Sequence, residues 1–517
     1  MSAFTAEGQN GFQRLIGGTS HERGQGLFET YNGLFVINGA SLSFGQGSAD
    51  VMLVKTDAQG QTIWSKVYGT TYFDNSEFAI ETPDHGFICI GRSALSGGAT
   101  SAMFFKTDSA GSYLWGKSFG GNQNDGLVHG INTLDGGYAF TGNTKSIGNG
   151  SDDILLIRTD ANGDTIFTRA YGTPQSEAGI SVTQLPDSGF VICGRQVTGV
   201  SSANGVMIRV DKNGDLIWNW IYQNQNWDEL ESVLPLNNND LIIAGSTVDS
   251  LSDYNVMLMK TDSSGFPTYA FSYGGDKIDA GYNVMMDADT NFVISGYTES
   301  FGYGHSLMGT DSTNIFLMKT YKTGSIQWFE TYGDGLQDEA YRSAKASDGG
   351  YLISGFTTDY TPPDSSQMMM IKTDADGLTG CHEQSVTVNV SALATIVTNA
   401  GFVQTSGLLP ASMSLVENSV APSNNDACLF SGISSASVND ELIITPNPFS
   451  EMITLKLQSG SVDKISVYDA SGRLCMLQKA NGMNEMTIPM HDLQTGVYYL
   501  KAESNNAVVV RKIVKAN

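Results

Sequence analysis

An aromatic residue recurs along this chain at strides of 51 or 52 residues, with one stride of 59: Phe12, Trp64, Trp115, Phe167, Trp218, Tyr269 and Trp328. Four residues beyond each stands a second large apolar residue, at Ile16, Tyr68, Phe119, Tyr171, Tyr222, Tyr273 and Tyr332. Glycine follows it in every repeat but one, where Gln223 takes the place. Five positions further on there is always an acid: Glu22, Asp74, Asp125, Glu177, Asp228, Asp279 and Asp338. A period near 50 residues marks an array in which a single unit cannot bury its apolar face alone.

Each unit reads as four short strands. In the second full unit these are EFAIET, GFICIGRS, SAMFFKTD and YLWGKSFG. The last two are joined by an Asp-x-x-Gly turn, repeated at Asp57–Gly60, Asp108–Gly111, Asp160–Gly163, Asp211–Gly214, Asp262–Gly265 and Asp374–Gly377. Tyr321 replaces the Asp in the sixth unit, but Gly324 remains. Asp opens such a turn through its side chain, and Gly takes the left-handed position of a bulged hairpin. Four strands per unit, seven times over, predict an all-β, seven-bladed β-propeller over residues 1–380. The last repeat has three good strands, and Cys381 stands where its aromatic residue belongs. Phe12 to Gly18 has the register of a fourth strand with no blade of its own. It is expected to complete the last blade, since an unpaired edge is a liability.

Glycine at 59 residues and charged residues at only 16% suit a loop-rich β protein. A net charge of −25 argues against nucleic acid, which needs clustered Lys and Arg. It suits solubility in an extracellular medium, or divalent-cation binding, with Ca²⁺ the candidate. No apolar run is long enough to span a bilayer. MSAFTAEGQN has neither a basic nor an apolar signal region, so an exported form of this chain is expected to be a processed one.

Seven like charges near one axis would repel one another. The third strands carry a matching base at Lys55, Lys106, Arg158, Arg209, Lys260, Lys319 and Lys372. The acids are therefore expected to bind backbone amides or these bases and to fix the blades; the alternative is a ring holding a cation or polar ligand. DANGD (160–164) and DKNGD (211–215) lack the spacing and distal Glu of calcium loops and read as hairpin turns. Residues that differ between blades are better ligand candidates: Trp227, and the insertion 301–314 with Phe301, Tyr303 and His305. No H-E-x-x-H, G-x-S-x-G or P-loop occurs, so no catalytic residue is assigned.

Cys89 and Cys193 lie in apolar strands and read as buried thiols, with Cys475 in a similar pattern. Cys381 and Cys428 bracket a β-rich extension, 381–430, expected to pack beside the ring. They are predicted to form a disulfide worth about 4 kcal/mol. A small-residue linker follows at 431–442, then a compact β unit at 443–517. Its markers are Pro446, Asn447 and Pro448, then Gly472 and Arg473 in DASGR, Gly496 and Tyr498 in TGVYYLK, and Lys512 in the basic terminal strand. In this order they resemble the type A C-terminal sorting domain of type IX (Por) secretion cargo of Bacteroidota. The repeats are likewise similar to those of large secreted proteins of that phylum. The resemblance implies an immunoglobulin-like β-sandwich, the type IX machinery as partner of residues 443–517, and a secreted or cell-surface location. An adhesion module of the same fold is the alternative for this unit.

Together these features point to an exported binding or adhesion propeller for an extracellular glycan or protein. A polysaccharide-active hydrolase or lyase, or a structural surface-layer or filament component, are the alternatives.

Overall fold

The computed structural model describes residues 11–516 except 95–97, 225–226, 249–253, 303–311, 334–336, 359–364, 428–441, 458–461, 470–473, 484, 491–492 and 505–506. Two compact units emerge, Met1–Asn425 and Asp426–Asn517. The first contains seven antiparallel sheets. The inner strand of each packs on the blade before it, and the last blade packs on the first, closing the ring.

The first blade runs outward through Glu22–Glu29, Phe35–Ser41, Asp50–Thr56 and Thr62–Gly69. The last has Asp338–Lys345, Tyr351–Thr357 and Gln367–Lys372, and its fourth strand is Phe12–Gly17, paired antiparallel from Phe12↔Lys372 to Ile16↔Met368. The amino-terminal strand therefore closes the ring. Phe12, Ile16, Leu27, Ile37, Val54, Met368 and Met370 share one core across that seam.

The blades have five strands, not the expected four. Residues 383–426 do not pack beside the ring as one body; they encircle it, giving every blade an outermost strand. Glu383–Ser385 lies on the sixth blade and Asn389–Ala392 on the fifth. Ile396–Asn399, Val403–Thr405, Pro410–Met413 and Val416–Ser419 follow on the fourth, third, second and first. Ser423–Asp426 ends on Phe12–Gly17 of the last. This strap runs against the chain order of the blades and caps seven otherwise open edges. Val386, Leu393 and Ala400, seven residues apart, donate their amides to Phe329, Ala270 and Asn219 of successive blades at 3.1, 2.9 and 3.2 Å.

The repeat residues clasp neighbouring blades. Tyr68, Tyr171, Tyr222, Tyr273 and Tyr332 are buried on fourth strands. Each donates its hydroxyl to the turn glycine of the next blade: to Gly111, Gly214, Gly265, Gly324 and Gly377, at 2.5–2.7 Å. Phe119 and Ile16 hold this position in the second and last blades and have no hydroxyl. The turn glycines have φ between +73° and +89°, and at Gly60, Gly111 and Gly163 a Cβ would strike Phe12, Trp64 and Trp115, the repeating aromatics of the preceding blades.

The second unit contains a three-stranded sheet (Leu442–Thr445, Met452–Leu457, Glu485–Pro489) and a four-stranded one (Leu474–Met483, Val462–Asp469, Gly496–Ser504, Ala507–Lys515). Ile453, Leu455 and Ile488 of the first sheet and Ile465, Val467, Leu500 and Ile513 of the second form one core, as in a β-sandwich.

Candidate functional site

The seven acids begin the inner strands and so lie at one end of the ring, called here the entry face. All are at most 1% exposed. Where their partners are defined, each ties the crossover between blades to its own blade. Asp125 accepts the Gly121 amide at 3.2 Å, the Thr144 hydroxyl at 2.5 Å and the Ser146 hydroxyl at 2.6 Å. Asp228 accepts the Asn224 amide at 2.8 Å and the Thr247 hydroxyl at 2.7 Å. Asp279 does the same with Gly275 and Thr298, at 2.8 and 2.5 Å. Glu22 takes Gly18 and Ser41, Asp74 takes Thr70, and Glu177 takes Thr173 and Gln196.

For these six acids the partners are backbone amides and neutral side chains, not the third-strand bases. Those bases sit near the ends of strands that finish at the opposite, exit face, a strand's length away. There they meet acids of the turn between the first and second strands. Lys106 pairs with Asp84 at 2.6 Å, Lys260 with Asp240 at 2.9 Å, and Lys319 with Asp287 and Lys372 with Asp348 at 2.8 Å. Arg158 and Arg209 pair with Asp135 and Asp187, and Lys55 lies over the Phe87 ring at 5.4 Å. Among the described residues, no three His, Cys, Asp or Glu side chains converge in a way that could hold a metal ion.

A different set of residues faces the axis. Every inner strand carries a β-bulge two to four residues after its acid, for example between Leu230 and Ser232, and between Ala340 and Arg342. A bulge re-aims side chains, and these positions differ from blade to blade: Glu77 and Phe78, Val128 and His129, Glu231, Tyr282, Tyr341 and Arg342. Arg342, from the last blade, crosses the axis. Its guanidinium bonds the Tyr282 carbonyl at 3.0 Å and lies 5.9 Å from the Phe78 ring of the second blade. It also interacts electrostatically with Glu231 of the fifth blade. Above this plug, Arg92 pairs with Glu77 at 3.1 Å and Arg195 with Glu229 at 2.5 Å. An aromatic wall runs from Tyr297 to Tyr282 to Tyr341 to Phe356, at centroid distances of 5.8, 5.9 and 6.0 Å, and Arg23 covers Phe356 at 4.7 Å.

The electrostatics of this axial cluster follow from burial. Burial and the neighbouring Glu229 push the Glu231 carboxyl up to about 8, against Arg342 and Arg195. Burial raises Glu339 as well, opposed by Arg23. Burial, then Arg342, takes His129 down to about 3, and its Nδ1 accepts the Val182 amide at 3.3 Å. The axial cluster thus combines fixed charges of both signs, a carboxyl raised by burial and aromatic rings, the components that orient a polar ligand.

Trp227 immediately precedes Asp228 on the same face. Its carbonyl accepts the Val248 amide at 2.9 Å, a bond that His21, Phe73 and Asn124 make in other blades, and its ring lies 6.4 Å from Tyr254. Only its side chain is particular to this blade. Phe301 packs edge-on against Phe329 at 5.8 Å, within a blade core. Tyr303 and His305 lie outside the described residues, as do Gly472, Arg473 and Cys428. Cys89 and Cys193 are buried free thiols, and Cys381 is not a free thiol.

In the second unit, the side chain of Asn447, from the Pro-Asn-Pro marker, accepts the Val514 amide at 2.8 Å, tying the marker to the terminal strand. The Tyr498 hydroxyl donates to the Gln494 carbonyl at 2.8 Å, and Gly496 and Lys512 lie in the paired strands Gly496–Ser504 and Ala507–Lys515.

Residues 444–516 match the secretion system C-terminal sorting domain. No curated protein matches the chain. Among solved structures it is similar to Sqt1 from Chaetomium thermophilum, at 10% identity over 70% of this chain and 100% of that one, with a TM-score of 0.32. A eukaryotic initiation factor matches at 9% identity over 63% of this chain and 97% of that one, with a TM-score of 0.27. The sorting domain marks the chain for export by the type IX machinery, as a secreted or surface protein. No helix among the described residues is long and apolar enough to cross a membrane.

Proposed function

We propose that the ring is a glycan-binding propeller delivered to the cell surface or medium by its sorting domain, with the entry-face residues around the axis forming a funnel that is its binding site. One observation carries this reading: the inner-strand residues that break the repeat gather around one axis, while the residues that keep it hold the blades. Tyr282, Tyr297 and Tyr341 offer faces for the C–H side of a pyranose, and Arg23, Arg92, Glu229 and Glu339 offer partners for its hydroxyls. A glycan array with the full chain tests it. Binding should fall at least about tenfold in Tyr341→Ala, a loss of roughly 1.4 kcal/mol. Binding unchanged in that variant, or capture of proteins but no glycan, would overturn the assignment. Deleting 443–517 should abolish export.

A catalytic reading has one observation in its favour. Burial holds the Glu231 carboxyl well above the usual carboxylate range, it lies beside Glu229, which Arg195 pairs, and a raised carboxyl suits the acid of an acid–base cleavage. Release of reducing ends from a bound glycan, lost in Glu231→Gln, would establish it.

Export to an oxidising compartment also supports a Cys381–Cys428 disulfide. The Cys381 carbonyl accepts from Gln13 at 2.6 Å, on the strand that Ser423–Asp426 joins. The two ends of the strap therefore meet at one strand, and a disulfide there would make it a closed hoop.

A further inference from the structure

On the exit face, inner strands end at Glu29, Glu81, Asn132 and Gln184 in the first four blades. Three of these side chains accept from the turn of the preceding blade. Glu29 takes the amide and hydroxyl of Ser347, each at 2.5 Å. Glu81 takes the Tyr31 amide at 2.9 Å, and Gln184 takes the Leu134 amide at 2.8 Å. In the last blade the position holds Lys345, exposed and unable to accept. Beside it a cavity of about 740 Å³ opens, lined by residues including Glu29, Tyr31, Glu81, Asp287, Lys345 and Ser347.

The walls of this cavity are held in place. The Tyr31 ring is 66% exposed, yet it stacks on His85 with centroids 3.4 Å apart, so one face is backed and the other is available. The carboxylates of Glu29 and Glu81 are oriented by the bonds just described, and Asp287 is paired with Lys319 at 2.8 Å. Each carboxylate oxygen keeps accepting capacity beyond one bond. Lys319 neutralises Asp287, so Glu29 and Glu81 face Lys345, and the excess of one negative charge repels an anion. An amine would pair with the carboxylates but leave Lys345 without an acceptor. An apolar occupant would strand the polar groups at a cost of a few kcal/mol. A neutral, hydroxyl-rich ring satisfies all of them.

We propose that this cavity is a second carbohydrate subsite, taking one neutral pyranose with its C–H face on Tyr31, its hydroxyls donating to Glu29 and Glu81, and Lys345 donating to a sugar oxygen. The inference is independent of the funnel and places sugar sites on both faces of the ring. The test is saturation-transfer NMR on the full chain in the Tyr341→Ala background, which removes the funnel wall, with methyl glycosides of glucose, galactose and mannose as probes. At least one probe should bind in the millimolar range. Tyr31→Ala and Lys345→Ala, each with an unchanged melting temperature, should weaken it by about fivefold or more. If no methyl glycoside binds, if binding survives both substitutions, or if glucuronate or a methylammonium ion binds more tightly, the proposal is overturned. A funnel that binds no glycan leaves this outcome unaffected.

Discussion

The tyrosine clasps allow a test in which neighbouring blades move in opposite directions. Tyr171, Tyr222 and Tyr273 each place a buried hydroxyl 2.6–2.7 Å from a turn carbonyl of the next blade. Removing one hydroxyl as Tyr→Phe loses the bond and leaves a buried carbonyl short of a donor, at a cost of about 1–2 kcal/mol. The three sites join different pairs of blades, so the triple variant should lose roughly 3–6 kcal/mol. Phe119 is 0% exposed and holds the equivalent position facing the third blade, where Gly163 has no tyrosine partner. Phe119→Tyr should therefore stabilise by about 0.5–1 kcal/mol. For the Met1–Asn425 unit, an unfolding entropy near 0.9 kcal/mol/K makes each kcal/mol worth about 1 °C in melting temperature. Differential scanning calorimetry should show the triple variant about 3–7 °C lower and Phe119→Tyr slightly higher. If Phe119→Tyr melts lower than the parent, or the triple variant melts unchanged, the clasp is not what joins the blades.

The Glu231 carboxyl is raised in the fold from an ordinary 4.5 to about 8, so the folded state holds a proton that the unfolded state releases. Stability should fall as pH rises from about 4.5 to 8, and urea midpoints across that range should flatten in Glu231→Gln. Asp125→Ala strands the donors of Thr144, Ser146 and Gly121 and should cost about 1–3 kcal/mol, with a melting temperature indifferent to EDTA in parent and variant alike. Cys381→Ser should destabilise the non-reduced protein by about 4 kcal/mol and the reduced protein hardly at all, as denaturant titration with and without reductant would show. Removing residues 1–18 exposes the edges of Gln367–Lys372 and Ser423–Asp426 together, and should give an aggregating product in size-exclusion chromatography.

The period alone carried the number of blades, the closing role of Phe12–Gly17 and the turn glycines, because each is a local pattern repeated seven times. The order of the tail's markers carried the sorting domain in the same way. The strap was visible only as a β-rich stretch. Its seven-residue stride through Val386, Leu393 and Ala400 acquires meaning once seven open edges stand at that spacing around a ring. The acids and bases were legible as invariants, and backbone amides were one of the two expected partners of the acids, but the choice between amides and bases was not legible: which faces meet depends on strand direction, and the two sets end on opposite faces. Phe301 was singled out as part of an insertion, yet its ring fills a blade core against Phe329. The funnel was hidden for a topological reason. Glu77, Glu231, Tyr282 and Arg342 lie scores of residues apart on four blades, at bulges that break the alternation of a strand. Only closure of the ring brings them to one axis, so tertiary structure alone decided where the proposed site lies.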